Sequence, residues 1–199
     1  RDFCLSRGLG DVYKRQSPSP PFREKSAHLQ PAHYYDRTKA NRFEELFGGT
    51  WIGEHPTKEH NQYLVIRYDF SAMVMANDME GLAKNFDALN CSPVEIMVKH
   101  NRDLFGDFQF TNWGNAFQML EEALAYIHLY GLPKAYILID EYDNFTNQLL
   151  TSYNDPLYEK VTTSDSFLRT FFKVIKKGIG EGTVRTCFCT VYCLSPWTI

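Results

Sequence analysis

The sequence predicts an α/β fold with a largely parallel sheet, and three observations carry that expectation. Ala135-Tyr136-Ile137-Leu138-Ile139 is a short continuous apolar run, which suits a strand buried on both faces. It lies between two amphipathic segments, 115–130 and 165–177, whose apolar residues recur at spacings of three and four. Strand-like stretches at 62–70 and 184–191 extend the alternation of strand and helix, as a parallel sheet covered by helices requires.

Along the chain, Ser17 to Pro21 (SPSPP) is too turn-rich for a regular element. Asp36 to Phe47 is expected to be helical, with Phe43, Leu46 and Phe47 on its apolar side and Gly48-Gly49 as its stop. Gln62 to Phe70 is rich in aromatic and β-branched residues and predicts a strand. The helical region that follows, to about Asn101, is expected to break at Pro93. In 115–130, Phe117, Leu120, Leu124 and Ile127 form the stripe, closed by Gly131-Leu132-Pro133. In 165–177 the stripe is Phe167, Leu168, Phe171, Phe172 and Ile175, with Ser164 or Asp165 as cap and Gly178 as stop.

With 199 residues the chain has room for one domain with a real core, and 44% hydrophobic with 23% charged residues is ordinary globular composition. No apolar run approaches the roughly 20 residues of a membrane span. Asp2 and the lack of a sustained apolar stretch at the start do not suit a signal peptide, so a cytoplasmic location is expected. A net charge of -3 makes no electrostatic case for a dominant nucleic-acid surface. Five cysteines, an odd number in a chain of this size, argue against a disulfide framework. Cys187, Cys189 and Cys193 could be read as metal ligands. Residues two apart on a strand share a face, however, and no partner CxxC or nearby histidine completes such a site. His55 and His60, five apart, lie in a polar loop and are expected to be solvated.

Residues 6–16 (SRGLGDVYKRQ) match, residue for residue, one reading frame of a transposon-end adapter used in preparing DNA sequencing libraries. Residues 1–16 are therefore set aside as non-native, and 17–199 are taken as one incomplete domain. Without the first sixteen residues, 17 basic face 22 acidic residues. The expectation is a truncated copy of a longer parent.

The sharpest chemical signal is Tyr136-Ile137-Leu138-Ile139-Asp140-Glu141-Tyr142-Asp143. A buried strand here delivers adjacent carboxylates to its carboxyl-terminal edge, where parallel sheets bind ligands. Asp140 suits Mg2+, directly or through water, and Glu141 suits the polarisation of an attacking water. The plainer reading is a strand that ends in a solvated acidic turn. A phosphate loop should accompany such an aspartate, and the only candidate is Pro21-Phe22-Arg23-Glu24-Lys25-Ser26. It has the Lys-Ser pair, but Glu24 stands where glycine would let phosphate approach, and Pro31 falls in the helix that should follow.

Several stretches together resemble the predicted AAA-ATPase-like family of prokaryotic proteins. They are His33-Tyr34-Tyr35-Asp36, Arg42 to Gly49 (RFEELFGG), Ile52-Gly53-Glu54-His55-Pro56, Asp69-Phe70-Ser71, Leu138 to Phe145 (LIDEYDNF), and Phe167 to Lys176. The resemblance runs from about Pro21 to Pro196. It implies a P-loop NTPase (AAA-like) three-layer sandwich, here partial, whose parallel sheet lacks its first strand and its C-terminal part. It also implies ATP and Mg2+ as cofactors, with Lys25 and Ser26 on phosphate and metal, Asp140 on metal, Glu141 as general base, and Thr190 as a sensor of the γ-phosphate. The family loop ends glycine-lysine-serine where this chain has Glu24-Lys25-Ser26. The family's T-G-V-S-P is replaced by Thr190 to Pro196 (TVYCLSP).

Three strands are expected side by side, with the edge that should meet the first strand left bare and prone to aggregation. The partners implied are nucleotide and an unidentified protein. Family members often carry a C-terminal PD-(D/E)XK nuclease-like domain, so nucleic acid would be contacted only through a domain beyond Ile199. No Glu here is followed two residues later by Lys, as that nuclease chemistry wants. The rival reading is a nucleotide-dead module that keeps the fold and binds a partner.

Overall fold

The computed structural model describes residues 29–142 and 166–190. Three parallel strands form its sheet in the order β1 (Leu64–Asp69), β2 (Ala135–Asp140), β3 (Val184–Cys189). Leu64 pairs with Ala135 and Asp69 with Asp140, while Ala135 pairs with Val184 and Ile139 with Cys189. The three expected strands are thus adjacent, and among the described residues nothing pairs with the outer edge of β3.

Strand alternation divides the core into two layers. On one face Leu64, Ile66, Tyr68, Ala135, Ile137, Ile139 and Val184 pack beneath three long helices. These are α4 (Met79–His100), α6 (Ala116–Leu129) and α7 (Phe167–Gly180). The opposite face carries Tyr63, Tyr136 and Leu138, covered by α1 (Leu29–Tyr35), α2 (Phe43–Phe47) and α3 (Trp51–Glu54). Helices on both faces of a parallel sheet make three layers, and β2 is buried along five of its six residues.

Three local expectations need correction. The helix does not break at Pro93: α4 runs through it. The missing Pro N–H leaves the Leu89 carbonyl without its helical donor. Yet Leu82, Phe86, Asn90, Val94, Met97 and Val98 are all buried at helical spacing. That continuous stripe outweighs one lost bond. A four-residue helix, α5 (Arg102–Phe105), follows directly. Residues 37–42 wind as a 3-10 helix, because Asp36 caps with its side chain both the Thr38 amide and the Thr38 hydroxyl, each at 2.8 Å. Only 43–47 is α-helical.

In α7 the cap is Ser166, whose Oγ accepts the Arg169 amide, and the helix passes Gly178. A Cβ on Gly178 would lie 2.7 Å from Val184 Cγ2 and 3.0 Å from Leu124 Cδ1. This glycine therefore permits close approach of α7 to β3 and α6. The stop is Gly182, at φ +74°, with the Thr183 amide bonded back to the Gly178 carbonyl.

Pro31 lies within α1, so the proline does not prevent a helix there. His55 and His60 hydrogen-bond the carbonyls of Trp51 and Thr57 and lie against the rings of Trp51 and Phe43 respectively, so they are more anchored than expected.

Two predictions arise from buried polar groups. Tyr68 is fully buried against Phe171, and its hydroxyl has no hydrogen-bond partner among the described residues. Tyr68→Phe keeps the ring contact and removes the desolvated hydroxyl. It is expected to stabilise the fold by about 1 kcal/mol in chemical denaturation. A lower midpoint would mean that the hydroxyl has a partner.

Asp87 of α4 accepts the Ala116 amide at the start of α6, at 2.8 Å. Burial pushes its carboxyl above the usual range despite that bond. A folded-state pKa above the unfolded value means that the folded chain binds the extra proton, so this group's contribution falls as pH rises. The loss begins near the unfolded value of about 3.9 and is complete above the raised folded one. Asp87→Asn keeps an acceptor for Ala116. It is expected to stabilise the fold at pH 7 and to flatten that slope, measured by urea denaturation between pH 3 and 7.

Candidate functional site

The carboxyl-terminal edge of the sheet gathers the residues with chemical potential. β2 ends at Asp140, whose side chain is 15% exposed. One carboxylate oxygen, Oδ1, accepts the Thr190 hydroxyl at 2.5 Å and the Glu141 amide at 3.1 Å. The other, Oδ2, faces the Arg67 guanidinium from β1 at 3.4 Å. Thr190 follows the last residue of β3 and is fixed by its own amide, which donates to the Ile139 carbonyl at 2.8 Å. Three neighbouring strands therefore converge on one carboxylate.

Glu141 sits just past the strand at φ +52°, a left-handed conformation uncommon for a side chain of this size. Such backbone persists where the surroundings impose it. Here the next residue is anchored twice: the Tyr142 amide donates to the Thr190 carbonyl at 3.3 Å, and its ring packs edge-on against Phe172. Asp69, beside Asp140 in register, is exposed and bonds the Ser71 amide at 3.0 Å.

Of the five residues singled out from sequence, the structure brings together Asp140, Glu141 and Thr190. Lys25 and Ser26 lie outside the described residues, as do Asp143 and Cys193. α1 is the described element nearest in sequence to Lys25 and Ser26. Its last turn abuts the start of β1, with Asp36 bridged to Tyr63 and Tyr35 stacked on Tyr136 at 4.2 Å. α1 lies on the Asp140 face of the sheet, since Tyr136, Leu138 and Asp140 alternate to that side.

Sequence reasoning missed Arg67. The available signal was a charged residue inside an otherwise apolar and aromatic strand, two positions before Asp69 and so on the same face.

Oxygen donors suit a hard cation such as Mg2+. Among the described residues, Asp140 Oδ2 is held by the long Arg67 contact alone, which leaves that carboxylate oxygen open to exchange. Among the described residues, no group of three or more His, Cys, Asp or Glu could hold a metal by itself. No described helix is long and apolar enough to cross a membrane.

This is an α/β domain whose parallel sheet presents an aspartate at the end of its central strand. The family model described as Predicted AAA-ATPase matches residues 25–193, most of the chain, and the chain belongs to that family. No curated protein and no solved structure matches it.

Proposed function

We propose that the domain derives from a P-loop ATPase and that its parent binds and hydrolyses ATP. The observation that carries this reading is the hydrogen bond from Thr190 to Asp140 across adjacent strands, at the ligand-binding edge of a parallel sheet. Asp140 and Ser26 would hold Mg2+, and Lys25 the phosphates. When bound, the cation would neutralise phosphate charge. Glu141 would take a proton from the attacking water, and Thr190 would orient Asp140 while sensing the γ-phosphate. Arg67 stands where it would have to yield Oδ2 to the cation.

A role for the Lys-Ser pair is supported by α1, which follows it in sequence and packs on the Asp140 face of the sheet with its last turn at the start of β1.

Glu24 favours a second reading, a nucleotide-dead module that binds a protein partner, because its carboxylate would repel phosphate. On our reading residues 1–16 are adapter-derived, and the incomplete loop belongs to this copy rather than to the parent. The test is to resequence the source DNA across the codons for residues 1–40, then to assay the encoded protein for Mg2+-dependent ATP hydrolysis. An intact glycine-lysine-serine loop, with activity abolished by Asp140→Asn, is the expected result. A clean gene that retains Glu24 and yields no hydrolysis would overturn the ATPase reading.

A further inference from the structure

Cys187 and Cys189 lie on the same face of β3, their sulfur atoms 4.0 Å apart. Cys187 packs against the core beneath the long helices, whereas Cys189 is exposed. The next residue, Thr190, bonds Asp140. We propose that Cys187 and Cys189 form a reversible dithiol–disulfide site, oxidised by a peroxide, whose closure displaces Thr190 from Asp140. Only the catalytic consequence of that displacement rests on the nucleotide reading.

The chemistry needs a reachable thiolate with a second thiol beside it. Cys189 is the exposed sulfur, and the hydrogen bond from Cys187 lowers its pKa below the usual thiol value. Its sulfur would attack one peroxide oxygen, breaking the O–O bond and releasing water once the leaving hydroxide is protonated. The sulfenic acid so formed is then attacked by the Cys187 sulfur. The S–S bond forms, hydroxide leaves from Cys189, and the Cys187 proton converts it to a second water. Two thiols lose two electrons and one peroxide gains them.

Closure acts on the strand. Residues two apart on a strand span about 6.6 Å between Cα atoms. Bridged cysteines usually lie nearer 5.5–6 Å, with an upper limit of about 6.8 Å. The ring therefore shortens the end of β3. Beyond it, Thr190 is tied to Ile139 and Tyr142 by backbone bonds that cannot follow the movement without lengthening.

The test uses the full 199-residue chain treated with hydrogen peroxide, then alkylated and digested with trypsin. No Lys or Arg follows Arg185, so Cys187, Cys189 and Cys193 fall in one peptide, and fragmentation assigns the bridge. The expected product lacks two hydrogens between Cys187 and Cys189, carries alkylated Cys193, and reverts with dithiothreitol. The Cys189→Ser variant, altered only at an exposed site, should not form it. Hydrogen exchange at the Thr190 and Tyr142 amides should quicken about tenfold in the oxidised chain. A bridge to Cys193, overoxidation without a bridge, or a Cys187–Cys189 bridge with unchanged exchange would each overturn the proposal. None of these readouts uses nucleotide, so a failure of the ATPase reading would be seen separately.

Discussion

Phe171→Ala is expected to cost about 3–5 kcal/mol, enough to leave a domain of this size largely unfolded or close to it. Phe171 is fully buried at the centre of α7, with Tyr68 5.0 Å away on β1, Phe86 5.3 Å away on α4, and Phe172 beside it. Removing the ring would separate the sheet from two of the helices that cover it. The cavity would be lined by aromatic rings already held by other contacts, so it has little means of collapsing. Denaturation followed by circular dichroism measures the loss. A cost below about 1 kcal/mol, as for a surface substitution, would mean that the layer beneath α7 is not packed as described.

The second large effect concerns chemistry. In the parental protein with an intact phosphate loop, Glu141→Gln is expected to lower the hydrolysis rate by about 10²–10⁴-fold, the usual contribution of a general base. ATP binding should be nearly unchanged, because the amide keeps the size of the side chain and loses only its ability to take a proton. Glutamine also keeps the polar reach of the side chain beside the anchored Tyr142, so the left-handed backbone at this position is expected to persist. Steady-state hydrolysis and nucleotide titration on the same preparation separate the two quantities. Full activity in the variant would remove Glu141 from the mechanism.

Much of this fold was legible because apolar pattern and burial coincide. The Ala135–Ile139 run suits a strand covered on both sides, and it is the central one. The stripes of α6 and α7 identified their buried faces, and Asp140 followed from where the apolar run ended. What escaped depended on non-local packing. Pro93 signals a break in isolation, but the buried residues on either side of it hold α4 continuous. Gly178 looks like a helix stop until Val184 and Leu124 are seen against it. Arg67 could be placed on a strand from its neighbours, but its approach to Asp140 depends on strand order, which no local pattern encodes.

The strand pairing also bears on when the site can exist during synthesis. Leu64 pairs with Ala135, about 71 positions later, and Ala135 with Val184, about 49 later still. Contacts of such long sequence separation form slowly, because loop closure must precede any reward from pairing. A nascent chain that has emerged only through β2 can bring Arg67 to Asp140, but it has no Thr190 to hold the other oxygen. The ion pair is thus the earlier partner of this carboxylate, and the hydroxyl completes the arrangement only when β3 docks.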